Sequence, residues 1–240
     1  MAGISISKSL TMDKKREAFE KACSKFSVPG VKLVLITEEY YDAALKFALE
    51  HFITHEPSHV ALGVPWNQEV EKFWLKTLQP NLSLMFLNDE TGEPMAFQII
   101  DIAQYDDKID FESIQTPAYK QLIRCCVYCD EQSDFFGHFG ITETFHLLGL
   151  AVAEKYKRRG IATQMVNAAI DMIRNFRSGP VYVKVEGSSN FSQKIFEKAN
   201  FEILFELPFA TWEVDGQFPI QNTGIHKIVK VYGKKLTAEP

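Results

Sequence analysis

One run of residues has the types and spacing to bind a phosphate-bearing ligand. It is LLGLAVAEKYKRRGIAT at positions 147–163, where an apolar strand leads into a basic, glycine-containing turn and then into a helix. Such a junction directs main-chain N–H groups and the positive end of a helix at one point, which favours an anion. A strand edge beside an anion site predicts a ligand with a long neutral arm and a pyrophosphate. Coenzyme A has this form.

The turn itself is the segment KRRGIA at 157–162. Gly160 provides backbone freedom, Ala162 provides clearance, and an arginine pair can donate charge-assisted hydrogen bonds to phosphate. A basic turn alone is more often a solvated loop, but its position between a strand and a helix favours the anion site. Gly149, inside the apolar strand, predicts a β-bulge or a close backbone approach. Packing of that glycine against a neighbouring helix is the alternative.

The elements that must position this run alternate between strands and helices. A helix over 12–26 precedes a strand at 31–37, and a second helix carries Tyr40 to Phe52 and is closed by Pro57. A loop is expected up to Pro65. The remaining expected elements are a helix from Trp66 to Leu78, a hairpin of 82–87 and 94–100, an insertion at 105–140 with a helix at 118–129, strands at 142–152, 181–186, 201–209 and 225–232, and helices at 160–176 and 189–199. This order predicts an α/β domain with a mixed sheet.

Composition limits the class of protein. With 46% hydrophobic residues, the chain has enough apolar material for a globular domain, and its net charge of −5 gives no general attraction to nucleic acid or to an anionic membrane. No segment approaches the ~18 apolar residues of a membrane span, and the first residues do not resemble a signal peptide. We therefore expect a cytoplasmic protein without nucleic-acid or membrane partners.

The cysteines and histidines do not predict a metal site. Three of the four cysteines lie at 125, 126 and 129 on one expected helix, which is typical of reduced thiols, and no second Cys-x-x-Cys pair completes a zinc site. His51, His55 and His59 are close in sequence, but Pro57 interrupts the helical register between the last two. His55 could assist a neighbouring base, and His226 is expected to be structural.

Two longer patterns resemble the GNAT superfamily of acetyl-CoA-dependent N-acetyltransferases. KRRGIA is similar to the signature Gln/Arg-x-x-Gly-x-Gly/Ala, with lysine at the first position, and SSNFSQKIFEKANF at 188–201 is similar to the segment that follows it. Asn200 replaces a glycine at a left-handed helix end. Phe196 replaces a tyrosine that often protonates the departing thiolate, and a phenyl ring cannot do so. The resemblance implies that Leu150, Ala151 and Val152 present main-chain groups to pantetheine; the residues it assigns to the pyrophosphate are Lys157, Arg158, Arg159, Gly160, Ile161, Ala162 and Thr163.

A closer resemblance is to the insect-type arylalkylamine N-acetyltransferases. Their Phe-Phe-x-x-Glu-Pro and Ser-Ser-x-x-Ser segments are similar to FITHEP at 52–57 and SSNFS at 188–192, and weak similarity extends over 30–236. The resemblance implies that Glu56 is the general base and that Ser188 and Ser192 assist proton transfer or arrange the acceptor. An alkylammonium with a pKa of ~10 must lose a proton before it can attack a thioester, which a carboxylate can accept. An exposed loop position for Glu56 and plain helix capping by Ser188 or Ser189 are the alternatives.

These observations predict a GNAT fold, an α/β (α+β) arrangement in which helices flank a mixed sheet of about seven strands with a splayed fourth strand. Residues 1–27 would form an N-terminal extension or accessory helix and 28–236 the acetyltransferase domain. The expected activity is transfer of the acetyl group of acetyl-CoA, without a metal, to an arylalkylamine in a ternary complex. A polyamine, agmatine or protein N-terminal acceptor is an alternative, as is a non-catalytic acyl-CoA-binding module. The oligomeric state is not predicted.

Overall fold

Seven strands form one mixed sheet in the order β1-β2-β3-β4-β5-β7-β6. The computed structural model describes residues 6–176 and 179–237. The strands are β1 (Val31–Leu35), β2 (Leu84–Asn88), β3 (Pro94–Gln104), β4 (Glu143–Val152), β5 (Val181–Gly187), β6 (Glu202–Pro208) and β7 (Ile228–Leu236). Neighbouring strands are antiparallel except β4 and β5, which run parallel. The prediction of an α/β fold with a mixed seven-stranded sheet is confirmed.

Helices cover both faces of this sheet. In the described residues they are α1 (Ile6–Ser9), α2 (Met12–Lys25), α3 (Tyr41–Ala48), α4 (Pro57–Leu62), α5 (Gln68–Leu78), α6 (Pro117–Ser133), α7 (Phe135–Phe139), α8 (Ile161–Arg174) and α9 (Asn190–Lys198). The apolar stripe of α8 is buried against the sheet in the main hydrophobic core. In the described part of the chain, no helix has both the length and the apolar character of a bilayer span.

The segment between β1 and α5 differs from its prediction. One helix was expected to run through Phe52 and to be closed by Pro57, followed by a loop. Instead, a 3₁₀ turn leads into α3, α3 continues as a π-helical turn over Leu49–Ile53, and Pro57 is the first residue of α4. Proline is well tolerated at the first helical position because the N–H that it lacks would have no intrahelical acceptor there. As a consequence, Glu56 occupies the N-cap of α4.

The helix predicted over 12–26 is confirmed as α2, and it packs on the domain. Ala18 and Ala22 are buried in the same core as the sheet, where α2 packs against α8. The ammonium of Lys15 also donates to the carbonyl of Pro80 at 2.7 Å. The small alanine side chains allow the close approach of the two helices. Helix α2 therefore contributes buried residues to the core of the domain.

The 105–140 insertion supplies a cover for one face of the sheet. Its helix α6 packs on β6 and β7 and forms a second, smaller core with buried Cys125, Cys129 and Trp212. Trp212, which the resemblance placed near the acceptor, is part of this core and does not line the cavity described below. All four cysteines are free thiols, as expected.

Candidate active site

Strands β4 and β5 separate halfway along their length. Their ladder covers only Phe145, His146 and Leu147 of β4, so the rest of β4 has no strand partner on this side among the described residues. On the other side the register with β3 shifts: Ile100 lies opposite Leu147 and Ile99 opposite Gly149, which leaves Leu148 as the extra residue of a β-bulge. The predicted splay of the fourth strand and the predicted bulge are both present.

Alternation of hydrogen bonds along β4 shows which main-chain groups face the gap. The N–H of Ala153 donates to the carbonyl of Met95 on β3 at 2.9 Å. In an antiparallel pair, successive residues point alternately toward the partner strand and away from it. The groups of Ala151 and Gly149 therefore point to β3, and those of Leu150 and Val152 point into the gap. The structure thus assigns two of the three predicted strand residues to the open edge.

A buried amide holds the bulge in place. The side-chain NH₂ of Gln98, which is fully buried on β3, donates to the carbonyls of Gly149 at 3.0 Å and Ile99 at 3.1 Å. Because the carbonyl of one residue and the N–H of the next point in opposite directions, this contact orients the N–H of Leu150 toward the gap. The alternative explanation for Gly149, packing against a neighbouring helix, also applies. A Cβ at this position would lie 3.0 Å from the Trp74 ring of α5.

The basic turn delivers the N-terminus of α8 to the same gap. Gly160 caps the helix with a φ of 78° and has no atom within 4 Å of the position of a Cβ. The first helical hydrogen bond runs from Gln164 to the carbonyl of Gly160, so the N–H groups of Ile161, Ala162 and Thr163 have no intrahelical acceptor. Three free donors at an open glycine, on the positive end of a 14-residue helix, fit a phosphate.

The three basic side chains of the turn are not equivalent. Arg158 lines the cavity with a φ of 63°, whereas the Arg159 guanidinium lies 5.7 Å from the centre of the Tyr156 ring and does not line it. Lys157 lines the cavity and pairs with Glu154 at 2.5 Å. Of the two arginines predicted to contact the phosphate, only Arg158 therefore lines the cavity. Two adjacent side chains on a sharp turn point in different directions.

Glu56 is a buried cavity residue, not an exposed loop charge, with only 11% of its side chain exposed. Its carboxylate accepts from the main-chain N–H of His59 at 2.7 Å and pairs with the His59 Nδ1 at 2.6 Å. Burial alone would raise the pKa of Glu56. The hydrogen bond and charge of His59 and the hydroxyl of Ser188 outweigh burial and lower this pKa to about 2. Glu56 is thus held as a carboxylate.

The histidine that pairs with Glu56 is His59, whereas no hydrogen bond joins the side chains of Glu56 and His55 among the described residues. His55 pairs through Nδ1 with the Thr54 hydroxyl at 2.8 Å. His59 lies three residues after Glu56, and the short helix α4 brings its ring back onto the N-cap. The sequence signal was present in Glu-Pro-x-His, but it was hidden by the expectation that Pro57 starts a loop.

The serines of the segment SSNFS at 188–192 make different contacts. Ser189 caps α9 by accepting from the N–H of Ser192 at 3.1 Å, and the Ser192 hydroxyl turns back to the carbonyl of Ser189 at 3.0 Å. Ser188 precedes the helix, and its hydroxyl contributes to the lowered pKa of Glu56. His226 accepts from the N–H of Asn190 at 3.0 Å, in agreement with a structural role. Both predicted serines line the cavity, and the capping alternative describes Ser189.

Sequence reasoning missed a group of charged residues on the face of the sheet that α6 covers. His146 of β4 and Glu186 of β5 pair at 2.6 Å, and Lys184 pairs with Asp130 of α6 at 2.6 Å. All four line the same cavity as Glu56. The available signal was a lysine and a glutamate on one face of the apolar strand VYVKVEG, which is unusual for a covered strand.

One cavity of about 1260 Å³ connects these parts. Its strand-and-turn half consists of Leu150–Val152 with Lys157, Arg158 and 160–163, and its side-chain half includes Glu56, His59, His146, Glu186 and Ser188. Every predicted site residue except Arg159 lines it. Within the described residues, no group of three or more metal-ligating side chains is placed to hold an ion.

Comparisons with known proteins agree with this geometry. Residues 102–210 match the family of acetyltransferase (GNAT) domains. Arylalkylamine N-acetyltransferase 2 from Aedes aegypti superposes with a TM-score of 0.79 at 18% identity, over 85% of this chain and 98% of that one. A Drosophila melanogaster polyamine N-acetyltransferase that forms N-acetylagmatine superposes with a TM-score of 0.75 at 14% identity, over 86% and 100%.

A sequence relative is more limited in extent. An N-alpha-acetyltransferase of Saccharolobus solfataricus is 33% identical over 58 residues, which are 24% of this chain and 35% of that protein. The match therefore spans about a third of the curated relative. The match of residues 102–210 to the acetyltransferase (GNAT) domain family places that similarity in the part of the chain that forms β4, α8, β5 and α9. The corresponding enzyme class is the acetyl-CoA-dependent N-acetyltransferases.

Proposed function

We propose that this protein transfers the acetyl group of acetyl-CoA to the primary amine of a small molecule, with both substrates bound together. The observation that carries the proposal is the continuity of the cavity, which places the open edge of β4 and the free donors of α8 in one space with Glu56. A cytoplasmic location and action without a metal remain part of this proposal.

The strand-and-turn half fits acetyl-CoA. Leu150 and Val152 offer main-chain groups to the pantetheine amides as an added strand would, and the first turn of α8 with Arg158 and Lys157 offers donors to the pyrophosphate. When bound, this cosubstrate supplies the thioester. The N–H of Leu150, oriented through Gln98, is the donor best placed to stabilise negative charge that develops on an oxygen in the gap.

The side-chain half fits an ammonium. Glu56 is ionised at neutral pH and lies on the cavity wall, so it can bind the acceptor amine and orient it with Ser188. The low pKa of Glu56 makes its carboxylate a weak proton acceptor. Its assignment as general base therefore stays a prediction. Ser192 or water would supply a proton to the leaving thiolate.

An arylalkylamine is the first choice of acceptor because aromatic side chains line the cavity. The residues concerned are Phe52, Phe73, Trp74 and Tyr119. A polyamine or agmatine-like amine is the second candidate, and it is favoured by the carboxylates of Asp101, Asp130 and Glu186, the last two of which pair with Lys184. A second positive charge on the acceptor would be attracted by this excess of acid.

Thiol release with acetyl-CoA and a panel of tryptamine, dopamine, spermidine, agmatine and an unblocked peptide tests the proposal. We expect turnover with at least one small amine, and a loss of about 10²-fold in kcat/KM for Glu56→Gln. Calorimetry with acetyl-CoA provides the control for folding, since the strand-and-turn half is untouched. Acetyl-CoA binding without turnover of any amine would favour a non-catalytic binding module, and turnover of the peptide alone would favour protein acetylation.

A further inference from the structure

Four titratable side chains form a continuous chain along the wall of the side-chain half. The Asp130 Oδ1 lies 2.6 Å from the Lys184 Nζ, which lies 3.4 Å from the Glu186 Oε1, and the Glu186 Oε2 lies 2.6 Å from the His146 Nε2. We call these residues the β5 charge chain. They come from three elements, α6, β5 and β4, and meet because His146 and Lys184 are register partners.

The carboxylates of the β5 charge chain outnumber its lysine. Burial raises the pKa of Asp130, and the charge of Lys184 partly offsets this. Lys184 has 3% of its side chain exposed. Burial alone would lower the pKa of Lys184, but the two carboxylates outweigh burial and raise it, so that the lysine stays charged. Burial alone would raise the pKa of Glu186, but the charges of His146 and Lys184 lower it, so a carboxylate lies beside an imidazole with 14% of its side chain exposed. A proton on that imidazole compensates a charge that is costly to bury.

The hydrogen bond to Glu186 also selects the nitrogen that can accept a proton. A carboxylate has no proton to donate, so Nε2–H of His146 donates to Glu186. In the neutral ring, Nδ1 then holds the lone pair. Within the described residues, Nδ1 has no hydrogen-bond partner, and the ring lines the cavity. A ring held by a carboxylate through one nitrogen and free at the other is the usual arrangement of a general base.

We propose that His146 is the proton acceptor for the acceptor amine, with Glu186 as the positioning residue that holds its ring and compensates its charge. This inference rests on the proposed function. The ammonium loses one N–H bond, its proton passes to Nδ1 of His146 directly or through one water, and the electron pair left on nitrogen is then free to attack. The imidazolium afterwards releases the proton to solvent. Glu56, whose pKa of about 2 makes it a weak base, keeps the role of binding the ammonium.

The groups that face His146 come from each element around it. Asp101 of β3 is its register partner on one side, Lys184 and Glu186 of β5 lie on the other, and Asp130 of α6 lies above. Burial raises the pKa of Asp101, and the charge of His146 partly offsets this. The neighbours are thus predominantly acidic and stabilise an imidazolium. This arrangement favours transfer of a proton to the ring.

A pair of acceptor amines that differ in basicity tests the proposal with His146→Gln. Glutamine can still donate to Glu186 but cannot accept a proton. For the preferred amine of the panel, we expect kcat/KM at pH 7 to fall by about 10²-fold. For its β,β-difluoro analogue, whose ammonium loses its proton near neutral pH, we expect a fall of less than about fivefold, because the base is no longer needed. A merely structural role would lower both rates equally, and an equal loss overturns the proposal.

His138→Gln is the matched control. His138 of α7 forms a similar pair with Glu202, Nε2 to Oε2 at 3.3 Å, outside the cavity. Its replacement should change neither rate. Unchanged turnover in His146→Gln would overturn the proposal while leaving the proposed function in place. Failure of the unmutated protein to acetylate any amine would overturn both.

Glu186→Gln provides a second test of the proposal if His146→Gln does not fold. It keeps an oxygen acceptor for Nε2–H and removes the charge that stabilises the imidazolium. The acidic limb of the kcat/KM profile should therefore move to lower pH. Acetyl-CoA affinity should stay within about twofold, since the strand-and-turn half is not touched. An acidic limb that does not move contradicts the proposal.

Discussion

The two halves of the cavity present different chemical groups to a ligand. In the strand-and-turn half, the donors are main-chain groups, and side chains matter there because they set backbone geometry, as Gly160 does at the helix cap and Gln98 at the bulge. In the side-chain half, the polar groups are ionisable side chains such as Glu56, His146 and Glu186, which come from distant parts of the chain. The first half presents a fixed set of donors, and the second holds charges whose state depends on their neighbours.

This difference separates affinity from turnover. Main-chain donors do not titrate, so the strand-and-turn half should bind its ligand almost independently of pH. The side-chain half contains the groups whose protonation can limit the reaction. Substitutions in the first half should change acetyl-CoA binding, and substitutions in the second should change rate, pH dependence and stability.

Gly160→Val should give the largest effect on binding. At a φ of 78°, a β-branched side chain is strained and moves the free N–H groups of α8 away from the phosphates. Loss of two charge-assisted hydrogen bonds corresponds to about 10²-fold weaker acetyl-CoA binding, measured by calorimetry. Gly92→Val, at a φ of 70° in the β2–β3 turn, carries the same strain outside the cavity and should lose stability alone. Equal binding by both variants would contradict the assignment of this half.

The same division explains what could be predicted from the sequence. Glycine, small residues and basic residues within seven positions define the turn, so Gly160 and Ala162 were found from local spacing alone. Asn200 was expected at a left-handed helix end and has a φ of 57°. A site made of main-chain groups depends on residues that are close together in the sequence, so a local pattern can predict it.

The side-chain half depends on contacts that are not local. His146 and Lys184 meet only because the parallel register of β4 and β5 places them opposite each other, and no pattern within either strand states that register. Asp130 reaches them from an insertion whose packing was not predicted. His59 was missed for a local reason, because Pro57 was interpreted as the end of a helix when it begins one. Glu56 was predicted through family resemblance, which carries tertiary information; it lines the cavity, and its catalytic role stays a prediction.

Glu56→Gln tests the side-chain half by its effect on the free energy of unfolding. The pKa of Glu56 is about 2 in the folded protein and ordinarily 4.5, so the carboxylate stabilises the fold above pH 4.5, and this contribution is lost as the pH falls toward 2. We expect the variant to be about 2 kcal/mol less stable in urea at pH 7. The difference should shrink as the pH is lowered through 4. Lys21 also lowers the pKa of Glu17, but this pair is exposed, so Glu17→Gln should show a much smaller pH-dependent difference.

Gln98→Met should lower kcat more than it lowers stability. It removes the hydrogen bond that orients the Gly149 carbonyl, together with a buried Oε1 that has no partner, so the net cost in folding should be below about 1 kcal/mol. If the Leu150 N–H stabilises the reacting oxygen, kcat should fall about tenfold while the acetyl-CoA KM changes little. Thr77→Val, which removes a buried 2.7 Å bond to the Trp74 carbonyl, is the control for loss of a buried bond.

The smallest effect should distinguish two adjacent arginines. Arg158 lines the cavity, so Arg158→Ala should weaken acetyl-CoA binding about fivefold in dilute buffer and less at 0.5 M salt, because the attraction between exposed charges is screened. The guanidinium of Arg159 lies over the Tyr156 ring, and Arg159→Ala should change the affinity by less than about twofold. Titrations of both variants at two salt concentrations measure this difference. If Arg159→Ala weakened binding more than Arg158→Ala did, the turn would present its charges differently to the bound ligand, and only the main-chain part of this half would retain its assignment.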